Sequence, residues 1–532
     1  MAPSRTADTR PQPSSTTSIK PTRATPSPAP RAPQPTQAQL LAALSPAATS
    51  ALIRRTLHPT ASKDTPLTSL LTPLTGDVDV DFEIYALLAV VLREFVVKWY
   101  GGITGDGRFV GEIAELVEGV VREGWLRLGE RRKENGGWGG VVVEIGGVVG
   151  EVGRGHVDAY RTAHTTRLPP PYAASPRHIY HALHPHPALS PVPDSSDPAS
   201  IELQSANDAA YRELLAQRLL HTLLPPTERD NPALTALIGS ILADLVIEKA
   251  VERACEPGVI WEGIAKVVEG VAARRKTTRR VGKADDGVTR NGGWQATFWM
   301  VLQFAFLAFA AVRALVIAVA YSSSLPRRGV RLSKSTTSPK TATGPTPVLG
   351  VKMWGFLARH IELEERMPWA YGAIALGQWV MLYGPGRIGA VDGVIDRLLT
   401  HFLLGLLPPA APALRALRGL LFPLNAPGPP GAPVPVGEAA VAMRRRAAEG
   451  VVGLVPRWVG GVYFGDGKAK VKGGSREEEV EGVERMLGVW GDAWMNRCVV
   501  YSLLEAGVVG LLPELAGGKG TVGGGDIGAV AV

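Results

Sequence analysis

From Ile84 onward the apolar residues recur with the period of a helix. Leu87, Leu88, Val91, Leu92, Phe95 and Val96 lie at offsets 3, 4, 7, 8, 11 and 12, one stripe of a 3.6-residue repeat. Trp99-Tyr100 closes the stretch and Gly101-Gly102 ends it. Asp79 and Asp81 are expected to cap its start, and Thr104 or Asp106 the start of the next helix. That second helix carries Ile113, Leu116, Val117, Val120, Val121, Trp125 and Leu128 at the same spacing. A Pro- and His-rich loop is expected at 167–200. The period then returns in Tyr211, Leu214, Leu215 and Leu219, stopped by Pro225-Pro226. It returns again from Leu234 to Val246, where Asn231-Pro232 supplies an N-cap and a proline at the first helical position. The valine-rich run VVVEIGGVVGEVGRGHVDAYRTAH imitates a strand, but its apolar positions also suit a helix, and we read it so. No run alternates cleanly with period two. The fold class is therefore expected to be all-α.

Composition narrows the function classes. The chain of 532 residues is long enough for two or three domains. Its 45% hydrophobic content coexists with proline-rich tails, so the apolar residues must be concentrated in the ordered parts. A net charge of +8 suits anionic lipid or nucleic acid without specifying either. The basic run from Arg274 to Arg290 has no interleaved aromatics and no recognisable nucleic-acid fold, so no nucleic-acid partner is expected. Two isolated cysteines, Cys255 and Cys498, make neither a disulfide framework nor a zinc site, which favours a cytosol-facing location. Residues 1–45 form a Pro/Ser/Thr-rich segment expected to be disordered, without the apolar core of a secretory signal.

Catalytic constellations were sought and none is expected. The chain contains no G-x-S-x-G, H-E-x-x-H or P-loop. His178, His181, His184 and His186 cluster, but Pro185 and Pro187 interrupt any helix that would align them and no carboxylate lies nearby. They are read as loop residues. The expectation is a protein that is not an enzyme, with no metal and no cofactor.

Several elements, taken in order, resemble the PXA (Phox-associated) domain of the large sorting nexins. They are Trp99-Tyr100, then Phe109, then His156, Tyr160 and Arg161 in HVDAYRTA, then His186-Pro187-Ala188-Leu189, then Tyr211 in YRELLAQRLLHTLLPP. A second set near the C-terminus resembles the nexin C domain of the same proteins. It comprises Ala416 to Pro423, with Phe422 where tryptophan is usual, and Asn496 to Leu515, ending Pro513-Glu514-Leu515. No PX or RGS domain is found between them, a layout similar to the short fungal PXA proteins. The resemblance implies two helical modules packed together around an apolar, lipid-sized space. Spacing alone shows amphipathic helices whose faces suit an ordinary core equally well. Phe95, Leu215 and Leu242 are candidates to line such a space.

The expected organisation follows. A tail covers 1–45, a PXA-like domain 78–270, and a basic linker 271–293. A hydrophobic helix covers 294–325, a second basic linker 326–348, a nexin C-like domain 349–515, and a Gly-rich tail 516–532. Phe298 to Tyr321 is 24 residues long, enough for a bilayer of about 30 Å. Trp294, Trp299, Phe304, Phe306, Phe309, Arg313 and Tyr321 are the candidate membrane or lipid contacts. Three placements stay open for this helix: inserted in the membrane (spanning or re-entrant), interfacial with Arg313 snorkelling, or buried in the core. A single span would put the two terminal modules on opposite sides of a membrane. Then the span, the nexin C match or the packing of the modules must fail.

These features lead to an expected function in lipid binding, with lipid transfer as a further step. The site would be the endosome or endoplasmic reticulum, and the partners phosphoinositide or other phospholipids, with the basic linkers holding anionic lipid. The alternative is a membrane-bound scaffold or tether for protein partners.

Overall fold

The computed structural model describes residues 42–59, 61–62, 64–104, 108–166, 174–224, 229, 231–281, 294–328, 345–407, 409–422, 425, 437–455, 460, 463–464 and 476–515. Among them there is no strand, only an isolated bridge between Asp194 and Asp197. The chain is all-α.

The N-terminal block opens with α1 (Pro46–Leu57) and α2 (Val78–Val91). Asp77 is the N-cap of α2, its carboxylate accepting from the amides of Asp79 at 3.0 Å and Val80 at 3.3 Å. Asp79 and Asp81 therefore do not cap this helix. The Asp81 carboxylate instead closes the preceding loop, accepting from Leu74 N, Thr75 N and the Thr75 hydroxyl. Nor does α2 bury one stripe only. Tyr85, Ala86, Leu88, Ala89 and Val90 are all inside, because α1 and a C-terminal helix both pack on it. The helix continues through a π turn, Leu92–Val97. That wider turn shifts the later residues out of register with a strict 3.6 repeat.

The next elements are α3 (Arg108–Glu134), α4 (Trp138–Thr165), α5 (Pro176–Leu183) and α6 (Pro198–Leu223). The valine-rich run is indeed helix, as α4. Of the expected α3 stripe, Ile113 and Leu116 are buried and the others half-buried. The region expected as a loop at 167–200 contains α5 and a 3-10 turn, Pro187–Leu189. Ser175 caps α5 and Pro176 occupies its first position, so the helix forms ahead of the prolines that were expected to prevent it. Then come α7 (Pro232–Ser240), extended through a π turn at Ile241–Ile247 and by Glu248–Cys255, and α8 (Pro257–Val281).

After α9 (Trp294–Ser324) the C-terminal block comprises α10 (Met353–His360), α11 (Pro368–Tyr383), α12 (Val394–Leu406), α13 (Ala410–Leu421), α14 (Glu438–Leu454), α15 (Arg476–Leu487) and α16 (Ala493–Leu511). It does not stand apart from the first block. α13 packs on α2, α10, α12 and α16 pack on α4, α16 packs on α7, and α14 packs on α8. One cluster joins Trp261 and Ala265 to Ala447, Ala448, Val452, Val480, Val483 and Leu487. A second joins Ala188, Ala216, Ala243, Ile247, Val251 and Cys255 to Tyr501, with Leu215 and Leu242 packed against it. Leu215 and Leu242 thus belong to a packed core; the Phe95 side chain lies outside the described residues.

This packing decides the topology of α9. α8 precedes it and sits on α14; α10 follows it and sits on α4. A single crossing by α9 would separate elements that touch. The connecting residues 282–293 and 329–344 are each shorter than the ~20 apolar residues a compensating span needs, and both carry charges. Of the three incompatible expectations, the single full span fails. Among the described residues, no single helix is long and apolar enough to cross a membrane. The pair Val394–Leu406 and Ala410–Gly419, bent by 46°, meets that test only jointly.

Candidate functional site

The motif residues converge on the seam between the two blocks. His156 on α4 is buried, with Nδ1 2.9 Å from the Tyr180 hydroxyl and Nε2 3.3 Å from the Val489 carbonyl. Its ring stacks on Trp490 at 4.7 Å. Burial pushes its pKa down to about 4, so the ring is neutral at physiological pH, with Nε2–H donating to Val489 and Nδ1 accepting from Tyr180. Tyr160, one turn on, packs beside this cluster and stacks on His164 at 4.0 Å.

Arg161 faces the end of α10. Its guanidinium donates to the carbonyls of Arg359 at 2.8 Å and His360 at 3.0 Å, and to Glu362 Oε1 at 3.1 Å. A cation here adds a bond to the last carbonyls of the helix and complements its negative end. His360 beside it is held neutral by burial, its pKa lowered to about 4.

His186 stacks on Tyr501 with ring centroids 5.2 Å apart. Its Nδ1 accepts from Ala188 N at 3.2 Å, capping the 3-10 turn, while Nε2 faces Glu505 at 3.6 Å. The Tyr211 hydroxyl donates to the same Glu505 carboxylate. Glu505 is held below the usual carboxylate range, chiefly by His186. Asn496 donates from Nδ2 to the carbonyls of Cys255 and Trp490, both at 2.9 Å. The turn Pro513–Leu515 brings Glu514 to Arg127 of α3. Tyr100 packs on Phe109 at 4.5 Å. The side chain of Trp99 and the whole of Pro423 lie outside the described residues.

Further seam contacts involve partners that gave no motif signal. Arg418, fully buried, donates to Glu83 Oε2 at 3.1 Å, to Asn425 Oδ1 at 2.6 Å and to Thr49 Oγ1 at 3.1 Å. Arg415 reaches the other Glu83 oxygen at 2.6 Å. Asp208 receives Arg212, Arg497 and the Tyr501 hydroxyl. Arg177 and Asp492 pair through two bonds of 2.9 and 3.2 Å. Arg328, placed by sequence in the basic linker, is buried against Asp396. The available signal was an acid inside an apolar period, as with Glu83 between Phe82 and Ile84. Its partner, more than 300 residues away in the chain, has no local signature.

These side chains form a polar network with one another and with the backbone. Both cysteines are buried, and burial raises their thiol pKa values to about 12 for Cys255 and about 11 for Cys498. That is opposite to an activated nucleophile. Among the described residues no group of three His, Cys, Asp or Glu is placed to hold a metal ion.

Residues 77–267 match the family model of the PXA domain. The chain carries a PXA domain over this stretch, about a third of its length. No curated protein and no solved structure matches it. The PXA domain therefore supplies one side of the seam, from His156, Arg161, His186 and Tyr211, and the C-terminal block the other.

The candidate lipid contacts lie elsewhere, on α9. Phe306 is 71% exposed and Phe309 64%, while Arg313 is exposed and Tyr321 half-exposed. The buried-core placement of this helix does not hold. Phe306, Phe309, Ala310, Arg313 and Ile317 line an open hollow along its side. With Leu302, Leu307, Val316 and Val319 also exposed, the bare apolar surface covers roughly two-thirds of the circumference at about 100° per residue. Among the described residues its C-terminal end is seated on α12. Tyr321 meets His401 edge-on at 6.1 Å, and Ser322 O accepts from Arg397 at 2.9 Å. The side chains of Trp294, Trp299 and Phe304 lie outside the described residues.

Proposed function

We propose that this PXA-domain protein is a sorting-nexin-like lipid-binding protein without catalytic activity, its C-terminal block a divergent nexin C-like module. It would act in membrane trafficking on the cytosol-facing surface of endomembranes, at the endosome or endoplasmic reticulum. The carrying observation is α9, whose exposed phenylalanines and valines leave about two-thirds of the helix bare while its C-terminal end is seated on α12. A helix so placed lies in a membrane interface. Arg313 then reaches headgroups while its stem stays in the apolar layer. The flanking basic residues, Arg274 to Arg290 on one side and Arg327 to Lys340 on the other, favour phosphoinositide or other anionic phospholipids. Extraction and transfer of a lipid would be a further step of the same activity.

A scaffold or tether for protein partners is the second reading, favoured by the packed surroundings of Leu215 and Leu242. Native mass spectrometry of the purified full chain, with co-sedimentation on vesicles with and without anionic lipid, separates the two. Bound phospholipid or anionic-vesicle binding supports the first. Stable co-purifying proteins, with neither lipid nor vesicle binding, support the second and overturn the first.

A further inference from the structure

α11 reads PWAYGAIALGQWVMLY, with no charged residue, and none of its residues is buried. Gly372, Ala373, Ile374, Ala375 and Leu376 are exposed in succession. At about 100° per residue, five consecutive positions go right round a helix. Trp369 and Tyr383 are each 69% exposed and Trp379 59%. An isolated helix of this length is marginal in water even with a favourable sequence, and this one offers water no polar side.

The chemistry of that surface identifies what covers it. A folded protein partner takes one face of a helix and leaves a polar rim outside; α11 has no such face to leave. The chain's own tails offer no apolar cover, since 1–40 is Pro-, Ser- and Thr-rich and 516–532 is Gly-rich. A fluid hydrocarbon phase, by contrast, covers every side at once. Nearby in the same block, Thr400 to Leu414 contains no acid, lysine or arginine, and Phe402 and Leu406 of α12, with Leu407 just after it, are exposed. α9 packs on α12, and the sequence flanking α9 is basic, complementary to anionic headgroups.

Both ends of α11 are fastened to the body. Before its start, the Arg366 guanidinium lies over the Tyr463 ring at 5.4 Å. Near its end, Gln378 donates to Leu349 O, and Met381 O accepts from Gly389 N at 2.9 Å. Its 16 residues make about 24 Å, short of the ~30 Å hydrocarbon core. The helix therefore enters and leaves on one side, with exposed Arg387 following it at headgroup level.

We propose that α11 is a second membrane-embedding helix, seated in the acyl chains of one leaflet of an anionic bilayer without crossing it. This rests on the membrane-binding reading above. The test uses the full chain carrying Leu376→Cys labelled with an environment-sensitive fluorophore; Cys255 and Cys498 are buried and leave the new thiol as the reactive one. On vesicles of phosphatidylcholine and phosphatidylserine the emission should rise, with quenching by an acyl-chain spin label and protection from iodide. A Leu376→Lys, Trp379→Glu variant should float about tenfold less or worse with the same vesicles, with unchanged circular dichroism. If the chain floats while position 376 stays open to iodide, this proposal falls and the membrane reading stands. If position 376 is already shielded in a vesicle-free dimer, a second copy covers α11 and the proposal is wrong. Absence of both flotation and bound lipid removes both.

Discussion

Arg418 and Glu83 form an ion pair withdrawn from water, and each needs the other. Burial lowers the pKa of Arg418, and Glu83 opposes that shift. Arg418→Met leaves Glu83 inside with only the half-exposed Arg415, and we expect a loss of about 3 kcal/mol in urea unfolding. A Glu83→Leu, Arg418→Met chain should recover most of it; an equal or larger loss in the double variant would show that the pair is not the reason. The histidines set a pH dependence. His156 and His360 have folded-state pKa values near 4, below the ordinary 6.5, so the unfolded chain binds their protons first. Stability is complete above pH 6.5 and declines as pH falls toward 4, by up to about 1.4 kcal/mol per unit for each histidine. The urea midpoint should therefore drop between pH 7 and pH 5, and His156→Gln with His360→Gln should flatten that slope.

At the scale of elements, α4 and α10 approach closely because α4 carries glycine where α10 lies against it. A Cβ at Gly150 would collide with the backbone of Lys352 and Met353, and one at Gly153 would come within 2.8 Å of the Phe356 ring. Gly150→Ala should push α10 away and cost about 1–3 kcal/mol, visible as faster amide exchange in Met353–His360 with little change in α14. Arg161→Ala, which removes three bonds to the end of α10, should loosen the same helix. Arg161→Lys should rescue poorly, since a point charge does not reproduce the planar fork. The existence of α4, α6 and α7 was legible from period and punctuation, whereas α8 runs into the stretch expected as a basic linker. The π turns in α2 and α7 were not, since one extra residue in a turn leaves no mark in composition. α5 was hidden because its cap, Ser175-Pro176, sits in a stretch whose other prolines read as loop.

At the scale of the molecule, both blocks lie on one side of any membrane the protein meets, because α2, α4, α7 and α8 pack on the C-terminal helices. Tags at the two termini should thus show equal protease sensitivity on microsomes, whereas opposite protection would contradict the packed seam. The sequence by itself determined the helical class, the apolar length of Trp294 to Ser324 with Arg313 its one charged residue, and the residues His156, Arg161, His186, Tyr211, Asn496 and Glu514 that mark the seam. Period and motif are local properties, written within a few turns of chain. Tertiary structure alone decided what those residues touch, which acids are buried with which arginines, and that α9 and α11 are left bare. Pairings such as Glu83 with Arg418 close over hundreds of residues. Whether an apolar helix is covered depends on which neighbours arrive, and no window of sequence contains that.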